Sequence, residues 1–288
     1  MTKPIVVGID GSPESFTAAD WAGREAARRD LPVHLLDVWR SPASDVQSPD
    51  PEALRQWEES RMREAGQQLT DRHPDLALTM QQVSGTPAKE LLDAAATSEM
   101  LVLGSRGLGA VAGFFHGSVG LHVVARSQRP VVFVRAAEPP ESEGRRTVVL
   151  GLDLGRPCEA LISFAFEEAA ARKALLQVVH VWGERRLYVA TSPDLDARLL
   201  TDIETKRGHE LSQMLAPWRA RFTDVALEES VVEGQVTQRM IEAGRDKETN
   251  LLVVGRRKHR APAAIHLGPV THAVLHHVAC PVAVVPHD

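Results

Sequence analysis

The chain has 288 residues, 43% hydrophobic and 25% charged, with a formal net charge of -5 at pH 7. This composition is typical of a folded globular protein of about two domains, and its charge gives no basis for binding nucleic acid or an anionic membrane. Because no apolar run approaches the roughly 20 residues of a spanning helix, and no cleavage signature follows the N-terminus, we expect a cytoplasmic protein with no membrane partner.

Strand and helix patterns alternate along the first half of the chain. Ile5–Asp10 is a short apolar run ending in a polar turn, and Ser15–Arg29 carries alanines at helical spacing. The following segments are predicted as a strand over Val33–Trp39, a helix over Pro51–Asp71, a strand over Leu76–Val83, a helix over Ala88–Thr97, and strands at Met100–Leu103 and Val131–Val134. This alternation predicts a doubly wound α/β layer, in which ligands bind beyond the carboxyl ends of parallel strands.

A glycine-rich stretch follows the strand that begins at Met100. Gly104 and Gly107 come directly after the apolar run, and Gly117-Ser118 precedes a segment of helical character. Glycine lets a backbone approach a ligand closely, and the unpaired N–H groups of a helix start attract anions. The stretch therefore indicates a site for a triphosphate, with glycines that only permit tight turns as the alternative.

The second half of the chain repeats the pattern of the first. Thr147–Asp153 matches Pro4–Asp10, and Leu252–Gly255 matches Leu101–Gly104. We therefore expect two tandem domains, at 1–137 and 147–288, joined by a charged, proline-containing linker at 138–146.

The two halves differ where phosphate is expected to bind. Lys258 stands at the position of Gly107, and Pro269 stands at the position of Ser118. Proline suits a first helical turn but removes one N–H donor. The first domain is therefore expected to hold the better nucleotide site, and the second to be weakened, altered or empty.

The pattern Gly104-x2-Gly107-x9-Gly117-Ser118, after a strand ending in Asp10, resembles the universal stress protein family. In its tandem form the resemblance covers essentially the whole chain. It implies in each domain a five-stranded parallel sheet of order 3-2-1-4-5 flanked by helices. It also implies ATP as the ligand, although AMP or a cyclic nucleotide fits the same residues.

The resemblance implies site residues that contact the nucleoside, the adenine or the phosphates. The loop residues Gly11, Ser12 and Arg106 are further candidates because of their chemistry. Asp10 and Ser12 are also the candidates for holding a magnesium ion, and Arg106 is either a phosphate contact or a solvated loop arginine. In the first domain the expected nucleotide-binding residues are Asp10, Gly11, Ser12, Val38, Leu103, Gly104, Arg106, Gly107, Gly117, Ser118 and Val119. In the second domain they are Asp153, Val181, Val254, Gly255, Gly268 and Val270.

The chain is predicted to be a binding protein rather than an enzyme. It lacks Gly-x4-Gly-Lys-Ser/Thr and the kinase motifs His-Arg-Asp and Asp-Phe-Gly, so no catalytic residue is assigned. The resemblance implies an ATP-responsive regulator of stress or dormancy, a homodimer, with a regulatory protein partner of unknown identity. The alternatives are a nucleotide-free dimeric interaction scaffold and a weak ATPase or autokinase.

The remaining polar clusters are not expected to form further sites. His272 and His276 are one turn apart on a predicted helix, but no third metal ligand converges on them, so no metal site is expected. The basic run Arg256–Arg260 is predicted to be a solvated loop rather than a nucleic-acid site. The apolar strands Val131–Val134 and Pro281–Val285 are candidate edges for pairing with another domain or chain.

Overall fold

A computed structural model describes the chain in seven stretches. They are residues 2–39, 51–105, 118–136, 146–156, 158–183, 193–258 and 267–288, with the backbone alone described for 51–58, 118 and 193–199. The described residues divide into two compact units, one for each half of the repeat. Nearly all of the linker predicted at 138–146 lies outside them.

The first unit alternates strands and helices. Its elements are β1 (Ile5–Ile9), α1 (Pro13–Arg29), β2 (Val33–Trp39), α2 (Pro51–Arg72), β3 (Leu78–Ser84), α3 (Pro87–Ala96), β4 (Met100–Ser105), α4 (Ser118–Arg126) and β5 (Val131–Arg135). All four strand pairings are parallel and run in the order β3-β2-β1-β4-β5. The predicted fold class is confirmed.

The second unit repeats this arrangement. Its elements are β6 (Thr147–Gly151), α5 (Glu159–Arg172), β7 (Leu175–Trp182), α6 (Pro193–Arg221), β8 (Leu227–Glu233), α7 (Val236–Arg245), β9 (Thr249–Arg257), α8 (Pro269–His277) and β10 (Val282–His287). The strands are again parallel, in the order β8-β7-β6-β9-β10. The duplication predicted from the sequence is therefore present in the fold.

The central strands of the first unit form its core. Ile5, Val7, Leu101 and Val102 on β1 and β4 are fully buried, whereas most of β3 is exposed. A strand with helices on both of its faces has no solvated side, so it reads as a continuous apolar run. The polar content of β3 correspondingly marks it as the edge that the sequence predicted.

The start of α1 is fixed by a local cap. The Ser12 side chain accepts a hydrogen bond from the Ser15 amide at 3.2 Å, and Pro13 occupies the first helical position. The helix therefore begins two residues before the predicted Ser15, because proline fits the first turn, where its missing N–H costs nothing. This cap leaves only residues 10–12 between β1 and α1.

Among the helices of the described stretches, none is both long enough and apolar enough to cross a membrane.

Candidate functional site

A cavity of about 260 Å³ opens at the carboxyl ends of β1, β2 and β4 in the first unit. Its walls are mostly apolar, with the polar side chains of Asp10 and Ser15 among them, as is usual for a small-molecule site. The residues that line it are Gly8, Ile9, Asp10, Ser15, Leu36, Val38, Pro87, Leu91, Leu103, Gly104, Val119, Gly120 and Phe133. Five of the residues predicted from the sequence are thus brought to one hollow: Asp10, Val38, Leu103, Gly104 and Val119.

The turn after β1 holds the acidic residue of the cavity in place. One carboxylate oxygen of Asp10 accepts hydrogen bonds from the Ser12 amide at 3.0 Å and from the Ser12 hydroxyl at 2.5 Å. Such a side-chain-to-backbone turn fixes the carboxylate at the strand end. Gly11 and Ser12 do not line the cavity; they form the turn that presents Asp10 to it.

Gly11 is required by its backbone conformation, and it packs against a side chain that the sequence does not point to. Its φ is +77°, and a Cβ at this position would collide with the Arg61 side chain of α2. The Arg61 guanidinium donates a hydrogen bond of 2.6 Å to the carbonyl oxygen of Asp10. Arg61 therefore clamps the turn from outside the cavity.

A buried carboxylate anchors the same arginine. Asp37 of β2 is 4% exposed, and its Oδ2 lies 3.7 Å from the Arg61 guanidinium and accepts a 3.0 Å hydrogen bond from Gln82. A charge in an apolar strand needs such partners. The single aspartate among the apolar residues of Leu35–Trp39 indicates that a partner is needed, but it does not reveal which residue of α2 forms the ion pair.

Gly104 is required by the packing of α1. A Cβ on Gly104 would lie 2.5 Å from the carbonyl carbon of Glu14 and 2.6 Å from the amide nitrogen of Ser15. Because these are backbone atoms of the first helical turn, they cannot move aside as a flexible side chain would. The glycine therefore lets α1 begin against the end of β4, whether or not a ligand is bound.

The first turn of α4 also borders the cavity. The helix begins at Ser118, and Val119 and Gly120 line the hollow. A helix start carries unsatisfied N–H groups and the positive end of the helix dipole. The predicted residues Arg106, Gly107 and Gly117 lie outside the described residues.

The second unit places its predicted residues on the matching elements. Asp153 follows β6, Val181 is on β7, Val254 and Gly255 are on β9, and Gly268 and Val270 are the N-cap and the first turn of α8. As expected, Pro269 is the first residue of that helix.

The surroundings of these residues differ from those in the first unit. Thr271 occupies the position of Gly120; it is 3% exposed, and its hydroxyl donates a 3.2 Å hydrogen bond to the Gly255 carbonyl. A Cβ on Gly255 would meet the His287 and Leu161 side chains rather than a helix backbone. The connection before α5 is also longer, residues 152–158, so α5 does not begin as α1 does.

The structure changes the interpretation of the basic run and describes the geometry of the histidine pair. The prediction that Arg256–Arg260 is a solvated loop is wrong at its start, because Arg256 is a residue of β9 and is only 6% exposed. Burial lowers the pKa of the Arg256 guanidinium. His272 and His276 lie with their Nε2 atoms 3.2 Å apart, and no group of three or more metal-ligating residues occurs within the described stretches.

The chain is similar to known proteins over nearly its whole length. A model of the universal stress protein family matches residues 1–135 and 144–286. The chain is 30% identical over 298 residues to a universal stress protein of Mycobacterium tuberculosis, covering 99% of each chain. It is 30% identical over 289 residues to one of Mycolicibacterium smegmatis, covering 98% of this chain and 96% of the relative.

A solved structure shares the fold over the whole length. The crystal structure of a universal stress protein from Archaeoglobus fulgidus aligns with a TM-score of 0.67 at 16% identity, covering 99% of this chain and 98% of the other. At this identity the likeness speaks for the fold alone.

Proposed function

Because the chain belongs to the universal stress protein family, we propose that its first unit binds an adenine nucleotide, with ATP as the main ligand. The observation that carries the proposal is the cavity that gathers Asp10, Val38 and Val119 at the carboxyl ends of the strands. Leu103 and Gly104 complete the set of predicted residues there. Occupancy of this site would regulate contacts with a protein partner during stress or dormancy, in the cytoplasm.

The cavity offers suitable surroundings for both the base and the phosphates of a nucleotide. Apolar side chains such as Leu36 and Phe133 offer an environment for a base, and Asp10 offers an acceptor for ribose hydroxyls. The start of α4 offers backbone N–H groups and a positive dipole to phosphates. A magnesium ion would accompany the phosphates, and Asp10 supplies the one carboxylate among the described residues that line the cavity.

Binding without efficient hydrolysis is the mode we propose. Among the described residues that line the cavity, Asp10 is the one charged side chain. Phosphoryl transfer needs cations on the transferring group and a residue that orients the nucleophile. With one of its oxygens already held by Ser12, Asp10 is better suited to binding than to acting as a general base.

We further propose that a chain binds one nucleotide rather than two. The buried Thr271 side chain adds bulk where the first unit has Gly120, and the hydroxyl of that threonine is already committed to Gly255. The unit keeps its sheet and helices, which is how a fold persists after a ligand site is lost.

The function is tested by identifying what the purified chain carries. Acid release followed by chromatography should yield an adenine nucleotide, and titration of the stripped protein with ATP, AMP and cyclic AMP should rank their affinities. A stripped chain with no measurable affinity for any of the three would refute nucleotide binding. Steady ATP turnover that survives repurification and is lost in Asp10→Ala would instead establish an ATPase or autokinase.

The second candidate function is a nucleotide-free homodimeric scaffold. The altered second unit favours it, since that unit retains the fold with Thr271 in place of Gly120. Measuring oligomeric state and thermal stability with and without ATP separates the two functions, because only the regulator should respond to the nucleotide.

A further inference from the structure

The helix α8 holds two imidazole rings close together, with their planes tilted by 56°. His272 and His276 have their Nε2 atoms 3.2 Å apart and their ring centroids 4.3 Å apart. His276 is 7% exposed and is held within the unit, whereas His272 is exposed at the surface. We propose that this pair chelates a divalent transition metal of the nickel, copper and zinc group.

The separation of the two nitrogens matches what one metal ion requires. Imidazole nitrogens bind such ions at about 2.0–2.1 Å, and ligand angles from square to tetrahedral then put two of them about 2.9–3.4 Å apart. The observed 3.2 Å falls inside this range. The nitrogens need not move apart, but the rings, whose centroids are 4.3 Å apart, must turn outward so that both lone pairs point at one ion.

The proton balance of the pair is simple. Without metal, one Nε2–H donates to the Nε2 lone pair of the other ring, so the two imidazoles are in different tautomers. The metal takes the place of that shared proton, and both rings then carry their proton on Nδ1. Water fills the remaining coordination positions, because the described residues supply no third histidine, cysteine or carboxylate at this point.

One member of the pair lies near the helix C-terminus. α8 runs from Pro269 to His277, so His276 is in its last turn, where the backbone carbonyls make the dipole negative, whereas His272 is nearer the helix start. Arg245 of the neighbouring α7 donates to the His277 carbonyl at 3.2 Å and takes up one of these acceptors. Bound water can use the others.

The pair belongs to the second unit alone. At the matched positions of α4 the first unit has Leu121 and Ala125, neither of which can bind a metal. The helix that carries Thr271, at the position of Gly120 in the first unit, is also the helix that carries the two histidines. The inference does not depend on nucleotide binding.

The test uses the full chain without an affinity tag and Cu²⁺ as the probe. Substoichiometric Cu²⁺ should give an electron paramagnetic resonance spectrum with hyperfine coupling to two imidazole nitrogens, and calorimetry should give one tight site per chain. His272→Gln changes an exposed side chain, so the fold should persist while one ligand is lost. His277 directly follows His276 on the same helix and is also exposed, so His277→Gln is the matched control.

The expected result is that His277→Gln matches the wild type, while His272→Gln loses the two-nitrogen spectrum and at least about tenfold in affinity, the lower end of what even outer-shell changes cost a metal site. The chain has 12 histidines, and copper held elsewhere would leave the spectrum of His272→Gln unchanged. That outcome, or no stoichiometric binding by the wild type, overturns the proposal.

Discussion

Replacing Gly104 with alanine would press a methyl group against the first turn of α1. The new Cβ would lie 2.5–2.7 Å from three backbone atoms of Glu14 and Ser15, whereas ordinary contact begins near 3.4 Å. The helix start and the end of β4 must then separate by several tenths of an ångström. Overpacking of this kind costs about 1–3 kcal/mol of the free energy of unfolding. For a unit of this size that lowers the melting midpoint by roughly 4 °C per kcal/mol.

The effect should appear in the nucleotide-free protein, followed by circular dichroism on heating. The matched control is Gly208→Ala within α6, where an added Cβ meets nothing within 4 Å. That change should instead stabilise the helix by about 0.5–1 kcal/mol, because alanine is the better helix former. If Gly104→Ala melts like the wild type, the glycine is not needed for the packing of α1, and our reading of its position is wrong.

Three further substitutions test the site and its supports. Gly120→Thr gives the first unit the side chain of Thr271. ATP affinity measured by calorimetry should fall by at least about tenfold, while the melting midpoint should not change. An unchanged affinity would contradict the proposed reason for the difference between the units. Arg61→Met removes the partner of the buried Asp37 carboxylate, so the free energy of unfolding measured in urea should fall by about 3 kcal/mol. ATP binding should also weaken, because the Asp10 turn loosens. A variant unchanged in both would show that Arg61 does not hold the turn. Ser12→Ala should cost about 1 kcal/mol of stability, whereas Thr86→Ala should cost less, because the Thr86 side chain makes no cap hydrogen bond; equal losses would show that the Ser12 cap adds nothing.

Much of the fold could be predicted because its signals are local. Apolar runs such as Ile5–Ile9 give buried parallel strands, and the polar content of β3 gives the sheet edge. Boundaries shifted by a residue or two where caps decide them, as at Pro13, since a cap depends on side-chain geometry. The strand predicted over Leu76–Val83 lies at Leu78–Ser84 in the structure.

The supports of the site could not be predicted because they join distant parts of the chain. Nothing near Gly104 in the sequence indicates that Glu14 and Ser15 pack on it, so the sequence offered only a ligand or a tight turn as the reason for this glycine. The partner of Asp37 lies on α2, and the choice of Arg61 depends on how that helix crosses the strands. The burial of Arg256 was missed because a run of basic residues looks the same in a loop and at a strand end.

The stoichiometry of ATP binding tests the account most directly. Calorimetric titration of the stripped, full-length chain should give one ATP per chain, held by the first unit. A chain that takes up two equivalents, or none, would contradict the central claim that the hollow above β1 and β4 is a nucleotide site and its counterpart in the second unit is not.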